Sequence, residues 1–222
     1  MENILEKIAY CVEFGKINKV SPYPPDMKGQ DGADELTKLA LEQGIPPVEI
    51  LNKGFVLGMD RIGKKFSENK VFVPQMLMSA KAMSTGMQHL KPFFTSGEVV
   101  RKGKFIIGTV AGDLHDIGKN LVAMMVEGSG WEVIDLGVDV KSEKFIEHIL
   151  STKASAVALS ALLTTTMVNM EKIVKDIRDQ APDVKICVGG APVNLDFCLK
   201  IGADHYSPDP QGVVEYLNKL VA

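Results

Sequence analysis

The chain has 222 residues, of which 45% are hydrophobic, and 25 basic against 28 acidic side chains give a formal net charge of −3. That length suits one large or two small domains with real cores, and the mild acidity leaves no electrostatic footprint for nucleic acid. Cys11, Cys187 and Cys198 are odd in number and lack C-x-x-C spacing, so they suggest neither a disulfide framework nor a zinc site and read as small buried hydrophobes.

Met1 to Lys7 carries no basic segment followed by an apolar one, and no run approaches the roughly 18 apolar residues of a membrane span, so a soluble, cytoplasmic protein is expected. Ile4, Leu5, Ile8 and Val12 recur at helical spacing, and Gly15 closes this first helix. Ser21 to Gly32 is a proline- and glycine-punctuated loop that cannot be helix, and it is longer than most connections in helix bundles. A second helix is predicted from Ala33 to Gln43, ending at Gly44. Pro46-Pro47 opens a third, with Ile50, Leu51, Phe55, Leu57, Met59 and Ile62 apolar. After a polar turn over 67–70, Val73-Pro74 opens a fourth, whose apolar stripe is Met76, Leu77, Ala80, Met83, Met87 and Leu90. Four amphipathic helices joined by loops read as a bundle. The methionines on this spacing read as adaptable core. Lys91-Pro92 is expected to break the fourth helix, which places a helical domain at 1–92 and a linker at 93–103.

From there the pattern alternates strand and helix over 104–222. Strands are predicted at 104–110, 131–136, 156–160, 185–189 and 204–206, and helices near 118–129, 142–152, 166–180, 193–201 and 209–221. This alternation gives an α/β fold: a four-helix bundle followed by a five-stranded parallel, doubly wound, flavodoxin-like (Rossmann-type) domain of strand order 2-1-3-4-5. That order brings the ends of strands 1, 3 and 4 to one edge.

Gly112 to Asn120 follows the first strand and opens a helix, so it lies where ligands bind in open α/β sheets. A lone histidine near a turn is most often a solvated side chain. Here Asp113, two residues before His115, is close enough to hold the imidazole Nδ1–H and leave Nε2 as a lone-pair donor. Asp116 flanks it on the other side, and Gly118 lets backbone approach a bulky group.

Asp113-x-His115-x-x-Gly118, within GDLHDIGKN, resembles the cobalamin-binding signature of methionine synthase and of corrinoid proteins in methyltransferase systems. Ser160-Ala161-Leu162 with Thr164, Thr165 and Thr166 resembles that family's S-x-L segment, and Val188-Gly189-Gly190-Ala191 its GG segment. Gly58-Met59-x-x-Ile62-Gly63-x-x-Phe66 with Val71 to Ala80 is similar to the small helical domain that precedes the cobalamin domain. The resemblance implies cobalamin or a related corrinoid as cofactor, in its methylcobalamin form during turnover. It implies His115 as lower axial cobalt ligand, Asp113 holding His115, and the Thr166 hydroxyl holding the aspartate. Ser160, Leu162 and Thr164, with Gly189, Gly190 and Ala191, would line a slot for the displaced nucleotide tail, and Phe72 and Met76 would contact the ring. The hydroxyls at 164–166 suit a helix cap equally well. Gly202-Ala203-Asp204 resembles the last segment bordering the tail, but the family often has a small residue where His205 stands.

The function implied is a methyl carrier that is not catalytic alone. Its partners would be a substrate-specific methyltransferase, a second methyltransferase acting on a thiol or tetrahydropterin, and a reductive activase of cobalt, with no nucleic acid and no membrane. Ser21 to Gly32 departs from the family's short turn and is a candidate docking element for the first methyltransferase. A cobalamin-binding subunit of a radical mutase fits less well with the helical segment in front. A cobalamin-sensing regulator would need a basic recognition helix, and a flavodoxin-like module binding another nucleotide lacks a G-x-G-x-x-G after the first strand.

Overall fold

The computed structural model describes residues 3–97 and 99–221. Met1, Glu2, Glu98 and Ala222 lie outside that set, and with them part of the N-terminal segment and one residue of the expected linker. Two compact units result, one formed by the chain up to Arg101 with Gly128–Gly130, the other by Lys102–Glu127 and the chain from Trp131 onward.

In the first unit Asn3 caps α1 (Ile4–Phe14) by accepting from the Leu5 amide, and Gly15 closes it in the left-handed conformation. The long loop that follows is anchored rather than free. Lys16, fully buried, donates from Nζ to the Ser21 carbonyl at 2.9 Å, and the Ala33 and Asp34 amides donate to the Lys16 and Ile17 carbonyls. A single 3-10 turn, Pro25–Met27, stands in a segment expected to hold no helical structure, with proline at its first position where a missing N–H costs nothing. Helix α2 (Ala33–Glu42) follows, with the Glu35 carboxylate reaching back to the Gly32 amide at 2.9 Å.

The third predicted helix is not regular. One α-turn, α3 (Pro47–Glu49), passes into a π-helical segment, Ile50–Val56, and then into α4 (Leu57–Ser67). Its buried residues, Ile50, Leu51, Gly54, Phe55, Gly58, Met59, Ile62 and Gly63, repeat every four positions. Helix α5 (Val73–Thr95) buries Met76, Ala80, Met83, Met87 and Leu90, whereas Leu77 is exposed, because the residue after Met76 turns about 100° away from the stripe. Pro92 does not break α5: it sits within the last turn, where one amide is lost, and the Ser96 amide donates to the Pro92 carbonyl before Gly97 ends the run at positive φ. Cys11, Cys187 and Cys198 are all buried free thiols, and burial pushes Cys11 up to about 12.

The second unit is a five-stranded parallel sheet of order β2-β1-β3-β4-β5. Its strands are β1 (Lys104–Thr109), β2 (Glu132–Asp135), β3 (Ala156–Ser160), β4 (Lys185–Gly189) and β5 (His205–Tyr206). The connecting helices are α6 (Ile117–Gly128), α7 (Ser142–Thr152), α8 (Met167–Gln180), α9 (Leu195–Ile201) and α10 (Pro210–Leu220). Strand β1 is apolar along its length and buried on both faces, as a central parallel strand requires. One core packs Ile106, Val157, Leu159, Ile186 and Val188 against Phe145, Ile149, Met170, Ile173 and Ile177 of α7 and α8. Thr109 pairs with Ser160, and Ser160 with Gly189, so the carboxyl ends of β1, β3 and β4 finish level, beside the reversal of strand order.

Candidate functional site

Beyond Thr109 the chain leaves the sheet in a tight turn, with the Asp113 amide donating to the Val110 carbonyl and the Val110 amide to the Ser160 carbonyl. Gly112 turns at φ +82°. The buried Thr109 hydroxyl donates to the His115 carbonyl at 2.8 Å, tying the far side of the loop back to the strand end.

Asp113 is fully buried and wholly satisfied. Its Oδ1 accepts from the His115 amide at 3.1 Å and lies 2.7 Å from His115 Nδ1. Its Oδ2 accepts from the Leu162 amide at 2.8 Å and the Leu163 amide at 3.2 Å, and lies 2.8 Å from the Thr166 hydroxyl. Burial alone would push this carboxyl up. The Leu162 amide, the His115 ring and amide, and the Thr166 hydroxyl outweigh it and hold Asp113 well below the usual carboxylate range. An ionised carboxylate only accepts, so the proton on the neutral His115 ring sits on Nδ1 and the Nε2 lone pair points outward. The His115 side chain is 52% exposed against 0% for Asp113, and Nε2 has no hydrogen bond among the described residues.

Thr166 stands at the start of α8 without capping it, because its hydroxyl is taken up by Asp113 and by the Leu163 carbonyl, 2.8 Å from each. With one proton to give, it favours the charged acceptor. Asp116 is exposed and accepts from Asn120, through its carbonyl at 2.7 Å and its Oδ2 at 3.1 Å, which starts α6. A side chain added at Gly118 would meet nothing within 4 Å, so that space is open. Ser160 is half-buried at the end of β3, and Leu162 and Thr164 are exposed on the loop beyond it. Gly190, at φ +125°, lies so close to Ala161 that an added Cβ would sit 1.8 Å from the Ala161 carbonyl oxygen, whereas Gly189 and Ala191 keep free surface. Leu114 and Ile117, both 71% exposed, leave an apolar rim around the imidazole.

The Gly202-Ala203-Asp204 turn is engaged in the fold: Asp204 Oδ2 accepts from the Ile186 amide at 2.7 Å and pairs with Arg178. His205 stacks flat on Tyr216, with ring centroids 4.3 Å apart, and burial lowers its pKa. Its buried Nε2 has no hydrogen-bond partner among the described residues. Phe72 and Met76 belong to the helical unit, where Phe72 is 65% exposed at the start of α5 and Met76 is 2% exposed in the core.

Sequence reasoning missed the residues that hold the loop from outside. Asp139 Oδ1 accepts from the Gly112 amide at 2.7 Å, and Asn169 Nδ2 donates to the Ala111 carbonyl at 2.7 Å. Buried Lys119 pairs with Asp135 and donates to Asn120 Oδ1 at 2.7 Å. No spacing announces these contacts, since they form only once crossovers bring distant loops together.

The B12 binding domain matches residues 103–212, and a second B12 binding domain family matches residues 30–91. Trimethylamine corrinoid protein 1 of Methanosarcina acetivorans is 42% identical over 193 residues, covering 85% of this chain and 89% of that protein. Dimethylamine corrinoid protein 3 of the same organism is 37% identical over 179 residues, 80% of this chain and 84% of that one. Among solved structures, a cobalamin-binding protein from Desulfitobacterium hafniense superposes with a TM-score of 0.76 at 26% identity, over 98% of both chains. The methanol:cobalamin methyltransferase complex of Methanosarcina barkeri gives 0.82 at 25% identity, over 99% of this chain and 80% of that one. With a buried aspartate setting an outward-facing imidazole at the switch point, and relatives of this identity along most of its length, the chain belongs to the B12-binding corrinoid proteins, and its cofactor is a corrinoid.

Proposed function

We propose that this protein is a methyl carrier, accepting a methyl group from a substrate-specific methyltransferase and delivering it to a second methyltransferase with a thiol or tetrahydropterin acceptor. The observation that carries the reading is the Asp113–His115 contact at 2.7 Å, with Nε2 turned outward. When bound, the corrinoid supplies the cobalt on which the methyl group rides. The residues fit such a group: among the described residues no three His, Cys, Asp or Glu side chains gather as a metal site, so a metal here brings most of its donors with it. His115 is the axial ligand in this proposal, and Asp113, held by Thr166 and the amides of 162 and 163, fixes its tautomer and raises its basicity. Asp116 and Gly118 border the ring, and Ser160, Leu162, Thr164, Gly189, Gly190 and Ala191 take the nucleotide tail. Phe72 has the free surface to touch the ring, which buried Met76 lacks.

The names of the relatives make a methylamine the first donor to try, through its cognate methyltransferase. A reductive activase of cobalt completes the system. The Ser21 to Gly32 loop is assigned to docking the first methyltransferase. Loading the protein with methylcobalamin and comparing visible spectra of wild type and His115→Ala tests the central assignment. Wild type should show imidazole in place of the nucleotide base and the variant a base-off spectrum; coincident spectra would rule His115 out as the ligand.

A further inference from the structure

We propose that Asp139 is a positioning residue for the Asp113–His115 pair, gripping the loop that carries them at two points. The proposal rests on the reading of His115 as axial ligand. Asp139 lies in the connection after β2 and adopts φ +54°, in the left-handed region. A non-glycine residue there is strained by roughly 1–3 kcal/mol, although aspartate tolerates it better than most. The conformation lets one residue face the same peptide twice: its amide donates to the Asp113 carbonyl at 3.0 Å, and its Oδ1 accepts from the Gly112 amide at 2.7 Å.

Two neighbouring bonds, from the Thr109 amide to the Gly137 carbonyl and from the Val140 amide to the Thr109 carbonyl, extend the sheet and need no side chain. The Asp139 carboxylate is the addition. It is exposed, so no packing demands a carboxylate at this position. Leu114, His115, Asp116 and Ile117 are exposed as well, so packing does little to fix the loop, and hydrogen bonds from outside it set its position. Asn169 completes the hold from the α8 side through the Ala111 carbonyl. An imidazole that leaves and rejoins a metal in each turnover has to return to one place, and the Asp139 grip supplies that return.

The test uses the full chain with Asp139→Ala, Asp139→Gly and Asp139→Asn. Each is loaded with hydroxocobalamin and reduced to the Co(II) form, and electron paramagnetic resonance reads nitrogen coordination from its splitting. In the unloaded protein, amide hydrogen exchange at Gly112 and His115 reads the grip directly. The Ala and Gly variants should bind corrinoid with imidazole coordination reduced at least threefold and those amides exchanging at least tenfold faster. Asn keeps the acceptor oxygen and tolerates positive φ, and should stay within twofold of wild type. Wild-type coordination in the Ala variant overturns the proposal, as does an Asn variant that falls as far as Ala. If Ala does not fold, Gly, unstrained at this φ, carries the comparison. If wild type binds no corrinoid, the axial-ligand reading fails, and unchanged amide exchange in Asp139→Ala or Asp139→Gly would separately overturn the grip.

Discussion

At Asp113, donors from three segments of chain converge on one buried carboxylate: the His115 ring and amide, the amides of Leu162 and Leu163, and the Thr166 hydroxyl. Protonating it would leave an acid proton facing donors, so its pKa is held low, and the sign of the linkage follows. In the unfolded chain this group takes up a proton near pH 3.9, while the folded form takes one up only at lower pH. Its contribution is therefore fully present above pH 4 and is lost as pH falls below that value. Urea titrations between pH 6 and 2 should show wild type losing stability relative to Asp113→Asn in the acid range, by up to about 1.4 kcal/mol per pH unit. A gap that stays constant with pH would mean the carboxylate is not held ionised. The Asp113–His115 spacing was legible in the sequence because both residues sit on one short loop. Asp139 and Asn169 were not, because each reaches that loop from another crossover.

Among the elements, strands and helices of the α/β unit followed from apolar runs and their period, and the sheet order from right-handed crossovers. Periodicity failed where geometry departs from the ideal helix. Pro92 read as a helix end, yet in a final turn one lost bond is cheap, and the helix runs on to Thr95. The π segment was invisible for a similar reason, since a repeat of four still looks amphipathic. Close helix contact is also written as glycine: a Cβ at Gly58 would stand 2.6 Å from the Ala9 carbonyl oxygen and 2.7 Å from Val12 Cβ, where α4 meets α1. Gly58→Ala should therefore destabilise the helical unit by about 1–3 kcal/mol through overpacking, despite the better helix propensity of alanine. Chemical denaturation of wild type and variant measures this, and a stabilised variant would show that α1 can retreat at no cost.

For the molecule as a whole, each unit has its own core, so ligand effects should be local. Every residue assigned to the axial ligand and the tail slot lies in the α/β unit. Corrinoid at 100-fold excess over its Kd adds about 2.7 kcal/mol to that unit, equivalent to roughly 5–10 °C in Tm for a domain of this size. Differential scanning calorimetry with and without hydroxocobalamin checks it, and an unmoved transition would argue against the slot.

The π segment Ile50–Val56 also governs how this chain tolerates changes in length. In a regular α-helix a residue four places on has rotated about 40° past its starting direction, so three such steps from Ile50 to Ile62 would swing the last side chain about 120° from the first. Both are nevertheless buried, as are Gly54 and Gly58 between them, because the wider π turn absorbs the surplus. One residue of that stretch is thus the spare link in the helix. Removing it would close the backbone into an ordinary α-helix with no gap, and everything beyond would arrive turned by about 100°. Single-residue gaps and insertions at 50–56 would then act as a rotary setting for α4, with the hydrophobic pattern downstream recording which setting a given homologue uses.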